Sequence, residues 1–192
     1  MTANVKFAKV KDGAKVPSKR DEDMGFDIYA CFEEDYIMIY PHETKLIPTG
    51  IASSCDPEYG FVLRERGSTG SKGIALRAGV VDSGYRNEWF VALTNTTSKM
   101  LFITKLSEEQ TKEQWVNYSL SEHTFANNAA KLAWEDSEKM IVKYSTFYPY
   151  SKAIAQALVI PVPKVEVEEI SYEELQTIPS ERGFGKIGSS GK

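Results

Sequence analysis

Short runs that alternate apolar and polar residues dominate the first half of the chain. Turn-forming Pro, Gly, Asp and Ser separate them. Alternation with a period of two is typical of half-buried strands, and many short strands favour a sandwich or barrel over a βαβ sheet. The pattern therefore predicts an all-β fold. The predicted strands cover residues 5–10, 36–40, 45–51, 61–63, 79–81 and 89–94.

The pattern changes after Asn95. Residues 107–115 and 127–143 carry Ala, Glu, Lys, Leu and Trp at helical spacing, which predicts two helices. We therefore interpret residues 96–150 as a partly helical insertion.

Strand-like sequence resumes over residues 154–162 and 165–170. Ser171, with Glu174 three residues later, predicts a capping box for one short helical turn. The end of the chain, residues 183–192, is rich in glycine and serine, so we expect a flexible tail.

Composition and charge narrow the class of protein. The chain has 192 residues, of which 42% are hydrophobic and 26% charged, as in ordinary globular domains. The net charge of −4, without a block of Lys and Arg, argues against a nucleic-acid-binding module. A small anionic ligand would need only a few well-placed cations.

Cysteine and histidine are scarce. Cys31, Cys55, His42 and His123 are too few and too scattered for a zinc site or a disulfide framework. No apolar stretch near the start of the chain predicts a secretion signal or a membrane span, so we expect a cytoplasmic protein, of a cell or of an infected host.

Four separate segments combine turn residues with groups suited to nucleotide phosphate chemistry. Each one alone is also compatible with an ordinary turn or strand; their joint occurrence is the stronger signal. They read Met24-Gly-Phe-Asp-Ile-Tyr-Ala30, Arg64-Glu-Arg-Gly-Ser-Thr-Gly-Ser-Lys-Gly73, Ala78-Gly-Val-Val-Asp-Ser-Gly-Tyr-Arg-Asn-Glu88 and Ser151-Lys-Ala-Ile-Ala-Gln-Ala-Leu158.

Residue chemistry gives each segment a use. Asp27 is suited to a hydrated hard cation, and Arg66 in its Gly/Ser loop is suited to a phosphate. Asp82 can orient or deprotonate a water, while Tyr85 can exclude a ribose 2′-hydroxyl. The neutral amide of Gln156 can bond a phosphate oxygen or a metal-bound water.

Taken in order, and together with the tail Glu181-Arg-Gly-Phe-Gly-Lys-Ile-Gly-Ser-Ser-Gly191, these segments resemble the motifs of the trimeric dUTPase family. The resemblance covers the chain except residues 96–150. It implies a dUTPase-like β-barrel of the β-clip or jelly-roll type over residues 1–181, with an active-site tail over 182–192. It also implies a homotrimer that hydrolyses dUTP to dUMP and pyrophosphate with Mg²⁺.

The resemblance assigns roles to residues of this sequence. Asp82 and Arg66 are the expected catalytic residues, and Asp27 is expected to hold Mg²⁺ through water. The expected substrate contacts are Gly67, Ser68, Thr69, Gly79, Val81, Tyr85, Gln156, Arg182, Ile187, Gly188, Ser189 and Ser190.

The sequence departs from the family pattern at a few positions. Gly67 stands where a serine is usual, so either Gly67 replaces that serine or Ser68 supplies the hydroxyl. Ile187 stands where a uracil-stacking phenylalanine is usual, and Phe184 is the other candidate for that contact. The fourth segment begins Ser-Lys-Ala where the family has Gly-Asp-Arg.

Two other functions remain open from the sequence. A dCTP deaminase would share the fold, but it would need a glutamate near Ala92, where the strand has none. Alternatively, a protein of this fold could use the insertion at residues 96–150 to bind a protein partner.

Overall fold

The structure is a computed structural model that describes residues 3–181 and 183. Strands dominate it, as the alternating pattern predicts. The strands are β1 (Val5–Lys9), β2 (Phe26–Ile28), β3 (Tyr36–Ile39), β4 (Thr44–Pro48), β5 (Ile51–Cys55), β6 (Tyr59–Arg64), β7 (Ile74–Arg77), β8 (Val80–Val81), β9 (Phe90–Asn95), β10 (Leu101–Thr104), β11 (Thr146–Pro149) and β12 (Ala155–Pro161). The helices are α1 (Gly67–Gly70), α2 (Glu108–Ser121), α3 (Asn128–Lys143) and α4 (Tyr172–Thr177).

Within the described residues the strands form four hydrogen-bonded sheets rather than one closed barrel. Their strand orders are β1-β5, β11-β10-β3, β2-β12-β6-β8 and β4-β9-β7. Every pairing is antiparallel except that of β10 with β11. The all-β class predicted from the sequence is confirmed.

Two aromatic side chains pack against the buried Trp89 in the core. Phe61 and Phe7 meet its ring edge-on, with ring centroids 4.9 and 5.8 Å away. Trp89 and Phe61 are each 1% exposed. Because Phe61 lies on β6, this cluster anchors the strand that leads into the Arg66 loop.

Both helices predicted after Asn95 are present, and each begins at a capping residue. Ser107 accepts a hydrogen bond from the Gln110 amide at the start of α2, and Asn127 accepts one from the Ala130 amide at the start of α3. Such caps satisfy amides that the first helical turn leaves unpaired. The two helices form a helical hairpin, residues 106–145, which connects the parallel strands β10 and β11.

The hairpin has a small core of its own. Trp115, Val116 and Val142 pack against Met100 and Phe102 of the β10 region. The indole of Trp115 donates a 2.8 Å hydrogen bond to the buried Glu138 carboxylate. The β10 and β11 ends of the predicted insertion therefore belong to the sheet with β3, and only the hairpin between them is helical.

Two strand predictions differ from the structure. The predicted strand at 45–51 is interrupted after β4, because Gly50 turns the chain with a φ of 66° and lies so close to Ala14 and Cys31 that a Cβ would approach both within 3 Å. Among the described residues no strand covers 165–170, where Val165 and Val167 are exposed and have no strand beside them. The helical turn after Ser171 is present as α4.

The chain divides into two compact units, Met1–Val162 and Pro163–Lys192. The first contains all the strands and the helical hairpin, and the described part of the second contains α4. No helix in the described part of the chain is both long and apolar enough to cross a membrane.

Candidate active site

The β2-β12-β6-β8 sheet brings three of the sequence segments together. In its register Asp27 of β2 lies opposite Gln156 of β12, and Gln156 lies opposite Arg64 of β6. Arg66 follows two residues after Arg64, where the strand ends. Neighbouring strands are about 4.8 Å apart, so this register places Asp27, Gln156 and the Arg66 loop side by side.

Arg66 and Asp27 form a bidentate ion pair. The arginine Nε lies 2.9 Å from one carboxylate oxygen, and Nη2 lies 3.2 Å from the other. Both side chains are about one third exposed. The Nη1 group has no hydrogen-bond partner among the described residues, so the guanidinium can still donate to an anion in the same cavity.

Hydrogen bonds from neighbouring side chains fix the backbone of the loop that carries Arg66. The Thr69 hydroxyl bonds both the Arg66 amide and the Arg66 carbonyl at 3.0 Å, and Thr69 is 1% exposed. Gln156 Nε2 donates to the Glu65 carbonyl at 2.9 Å. The Glu65 carboxylate accepts from the Leu76 amide, and this hydrogen bond lowers the pKa of Glu65.

These hydrogen bonds show the structural role of two residues that were predicted to contact substrate. Thr69 and Gln156 both use polar atoms to fix the backbone next to Arg66. The Gln156 Oε1 atom would lie only 3.1 Å from a Cβ at Gly25, so a glycine there keeps the β2 to β12 contact close. Direct contact of either side chain with substrate stays a prediction.

An open cavity of about 880 Å³ lies at this end of the sheet. Five of the predicted site residues line it: Asp27, Arg66, Gly67, Ser68 and Gln156. A Cβ at Gly67 would meet nothing within 4 Å. Gly67 and Ser68 thus both face the same space, and either could serve at the position of the usual serine.

The cavity also contains residues that motif reasoning overlooked. Lys19, Arg20 and Asp23 precede the first motif, Tyr29 follows Asp27, and Lys152 lies in the part of the fourth segment that departs from the family pattern. The charged run around Arg20 was the signal that could have revealed the first three.

Arg20 and Asp23 neutralise each other at the cavity rim. Two arginine nitrogens lie 2.9 and 2.8 Å from the Asp23 oxygens. The side-chain hydrogen bonds from Arg20 lower the pKa of Asp23 to about 2. This acid therefore remains ionised at any physiological pH.

The third segment continues beyond β8 into a turn at residues 82–85. Asp82 is exposed, its carbonyl accepts from the Tyr85 amide at 3.1 Å, and the Tyr85 hydroxyl donates to the Glu88 carbonyl at 3.1 Å. Gly79 packs so tightly on β6 that a Cβ there would lie 2.5 Å from the Leu63 carbonyl oxygen. Val81 pairs with Phe61.

Within one chain, the Asp82 turn does not reach the Arg66 cavity. The pairing of Val81 with Phe61 puts Asp82 beside Gly60, six residues from Arg66 along β6 and the loop that follows. At about 3.3 Å per residue this is roughly 20 Å. Asp82, Tyr85, Gly79 and Val81 are accordingly absent from the lining of the cavity within the described chain.

The tail residues predicted to contact substrate, and the alternative uracil cover, lie outside the described residues. They are Arg182, Phe184, Ile187, Gly188, Ser189 and Ser190.

Within the described residues, no cluster of three or more His, Cys, Asp or Glu side chains could hold a metal ion. Asp27 and Asp23 are the two carboxylates in the cavity lining, and Asp23 is already paired with Arg20 at the rim. Mg²⁺ in phosphate sites commonly keeps several waters and binds through one or two carboxylates together with substrate phosphates. One carboxylate is therefore compatible with a water-mediated metal that arrives with a nucleotide.

The fold and cavity together define a class: a mainly antiparallel β protein with an arginine–aspartate ion pair in an open cavity at its strand ends. Comparisons with known proteins assign the family. The family model described as dUTPase matches residues 12–107, half of the chain. The deoxyuridine 5′-triphosphate nucleotidohydrolase of Nautilia profundicola is 30% identical over 192 residues, covering 98% of this chain and 99% of that protein. The chain belongs to the dUTPase family.

Two further similarities concern a viral protein and a phage protein. The Pol polyprotein of equine infectious anemia virus is 36% identical over 96 residues, covering 46% of this chain, which spans only 8% of that polyprotein. Among solved structures, the Staphylococcus bacteriophage 80alpha dUTPase with dUPNHPP has a TM-score of 0.64 at 19% identity, covering 98% of this chain and 99% of that one. At this identity the structural similarity establishes the fold.

Proposed function

We propose that this chain is a dUTP diphosphatase that hydrolyses dUTP to dUMP and pyrophosphate as a homotrimer. The observation that carries the proposal is the cavity built by Asp27, Arg66 and Gln156 in a chain of the dUTPase family. The reaction would limit uracil incorporation into DNA by removing dUTP, and it would supply dUMP.

The reaction assigned to the site is attack of water on the α-phosphorus. The water oxygen forms a bond to phosphorus, the bond from the α-phosphorus to the bridging oxygen breaks, and pyrophosphate leaves with that oxygen. Asp82 orients the water and takes up its proton. Arg66 donates to the triphosphate oxygens, where negative charge develops.

The Asp27 carboxylate would hold Mg²⁺ through water. Each carboxylate oxygen that bonds Arg66 retains further acceptor capacity, so the ion pair and a metal-bound water are compatible. When bound, the metal supplies positive charge that the triphosphate requires.

The distance between Asp82 and Arg66 within one chain supports a shared site. The backbone path of roughly 20 Å between them is too long for Asp82 to position a water at a phosphate that Arg66 contacts. In the proposed trimer the Arg66 cavity of one subunit is completed by the Asp82 turn of another.

Position 92 does not favour the deaminase alternative. Ala92 lies in β9 and is 5% exposed, and the strand residues around it, Phe90–Asn95, include no acid.

The other alternative is that the insertion binds a protein partner. It is supported by exposed apolar side chains of α3, among them Leu132, Met140 and Ile141. It stays a prediction beside the enzymatic one.

Release of pyrophosphate from dUTP, dTTP, dCTP and UTP, with and without Mg²⁺, tests the function. We expect hydrolysis of dUTP far above the other three and only with the metal. The Asp82→Asn variant should lose about a hundredfold or more of kcat at unchanged thermal stability, because it removes a base but keeps the side-chain size. Equal hydrolysis of all four nucleotides, or a fully active variant, would refute the assignment.

A further inference from the structure

The cavity around Arg66 holds more positive charge than its carboxylates neutralise. Its lining includes four cations, Lys19, Arg20, Arg66 and Lys152, and two carboxylates, Asp23 and Asp27. Each carboxylate is already engaged by one arginine. Two positive charges therefore remain, and both belong to lysines.

The two lysines are held differently. Lys19 Nζ donates to the carbonyls of Arg20 and Asp21 at 3.1 and 3.4 Å, so its ammonium is occupied by its own loop. Lys152 forms no ion pair or side-chain hydrogen bond with any residue that the structure describes. Among the described residues, the Lys152 ammonium is therefore available to bind an anion, together with the Nη1 group of Arg66 in the same cavity.

The backbone that carries Lys152 is nevertheless well defined. The Lys152 amide donates to the Pro149 carbonyl at 3.0 Å. On either side, Lys15 Nζ reaches the Ser151 carbonyl at 3.4 Å and the buried Tyr148 hydroxyl donates to the Ala153 carbonyl at 2.6 Å. The backbone of a turn fixed in this way loses little conformational freedom when the Lys152 side chain binds a ligand.

The neighbouring position explains why the cation is at 152. Ala153 is 2% exposed and packed into the core, so a long charged side chain there would have to leave a buried site. Lys152 is exposed and faces the cavity. Where the family pattern reads Gly-Asp-Arg, this chain reads Ser-Lys-Ala, so its positive charge is one residue earlier and the acid is absent.

We propose that Lys152 is a substrate-binding residue that contacts the polyphosphate of the nucleotide from the side of the cavity formed by the fourth segment. The inference rests on the proposed function, because it uses the same cavity. Lys152 and Arg66 then hold the anion from two elements, β12 with its preceding turn and the loop after β6. Lys152 acts through binding, whereas Asp82 acts in the chemical step.

The test compares Lys152→Gln, Lys152→Glu and Lys152→Arg with Lys131→Gln, which removes an exposed lysine of α3 far from the cavity lining. Two readouts are needed: KM and kcat for dUTP, and the Kd of inorganic tripolyphosphate by calorimetry on the full-length protein. Each is measured at low and high salt.

For Lys152→Gln we expect KM and the tripolyphosphate Kd to rise about tenfold, with kcat within about twofold. Lys152→Glu should have a larger effect, Lys152→Arg should retain binding, and the Lys131→Gln control should match the wild type. The difference from wild type should shrink at high salt, because the lost contact is between exposed charges.

Unchanged tripolyphosphate binding in Lys152→Gln would overturn the inference, even if the wild type hydrolyses dUTP. A wild type that binds tripolyphosphate through Lys152 but leaves dUTP intact would instead reject the proposed function and retain the phosphate contact. If Lys152→Glu alters the melting temperature, Lys152→Gln and Lys152→Arg still decide the question.

Discussion

Arg66 and Asp27 show how single residues prepare the cavity before a substrate binds. Their bidentate contact leaves one guanidinium nitrogen, Nη1, without a partner among the residues that the structure describes. Thr69, buried beneath the loop, fixes the Arg66 backbone through both its amide and its carbonyl. Positioned donors of this kind need little rearrangement when negative charge develops.

Tyr85 offers a test of sugar selection at the same scale. The hydroxyl of Tyr85 is bonded to the Glu88 carbonyl, which fixes the ring although it is 40% exposed. If the ring occupies the space of a ribose 2′-hydroxyl, Tyr85→Ala should raise kcat/KM for UTP relative to dUTP by about tenfold or more. Steady-state rates with both nucleotides measure this ratio.

Tyr85→Phe is the matched control, since it keeps the ring and removes only the hydrogen bond. It should retain most of the discrimination. If the alanine variant folds and still rejects UTP as the wild type does, sugar choice is made by other residues.

The α2–α3 hairpin is more closely tied to the β-structure than an appended loop would be. It connects β10 to β11, and these strands are parallel. Parallel neighbours cannot be joined by a tight turn, because the chain must return to the starting end of the sheet, usually over a dozen or more residues. The hairpin is therefore the crossover of this sheet.

Two replacements of residues 106–145 test this role. A twelve-residue Gly/Ser linker is long enough to cross back and should keep β10, β11 and dUTP hydrolysis. A two-residue turn should detach β11 and give a protein that does not fold cooperatively. Thermal unfolding and the activity assay compare the two.

The long-linker protein should still be less stable than the wild type. Its Phe102 and Met100, now 0% and 6% exposed, would lose the cover of Trp115 and Val116. Uncovering one large apolar side chain costs about 1.5–3 kcal/mol. Equal stability of both linker variants would contradict the crossover role.

At the scale of the whole molecule, the separation of Asp82 from Arg66 predicts complementation between subunits. Asp82→Asn and Arg66→Ala homotrimers should each be nearly inactive. The two variants can be unfolded and refolded together to form mixed trimers. These should regain part of the activity, because some of their sites combine an intact cavity with an intact Asp82 turn. Pyrophosphate release from the mixture measures the recovery.

A mixture of Arg66→Ala with Asp27→Ala is the control, since both changes damage the same cavity and no mixed site is complete. Sedimentation should show that mixed trimers form in both cases. Mixed trimers of the first pair without recovered activity would place the whole site in a single chain.

The sequence alone predicted much of the local structure and several residues that line the cavity. Period-two runs predicted more than half of the strands, and helical spacing over residues 107–115 and 127–143 predicted both long helices, because these signals act over a few neighbouring residues. The motifs also identified Asp27, Arg66 and Gln156, which the sheet places together. The predicted strand at 165–170 is absent because a local pattern of alternation is not enough. A strand also requires a neighbouring strand to pair with.

The tertiary structure decided what depends on distant contacts. The break after β4 follows from the crowding of Gly50 against Ala14 and Cys31, which lie far from it in sequence. The register of β6, β8 and β12 separates Asp82 from Arg66 and brings Lys152 into the lining of the Arg66 cavity. Local sequence encodes which groups are available, whereas long-range pairing and packing determine which of them meet, because those contacts join residues that no local pattern links.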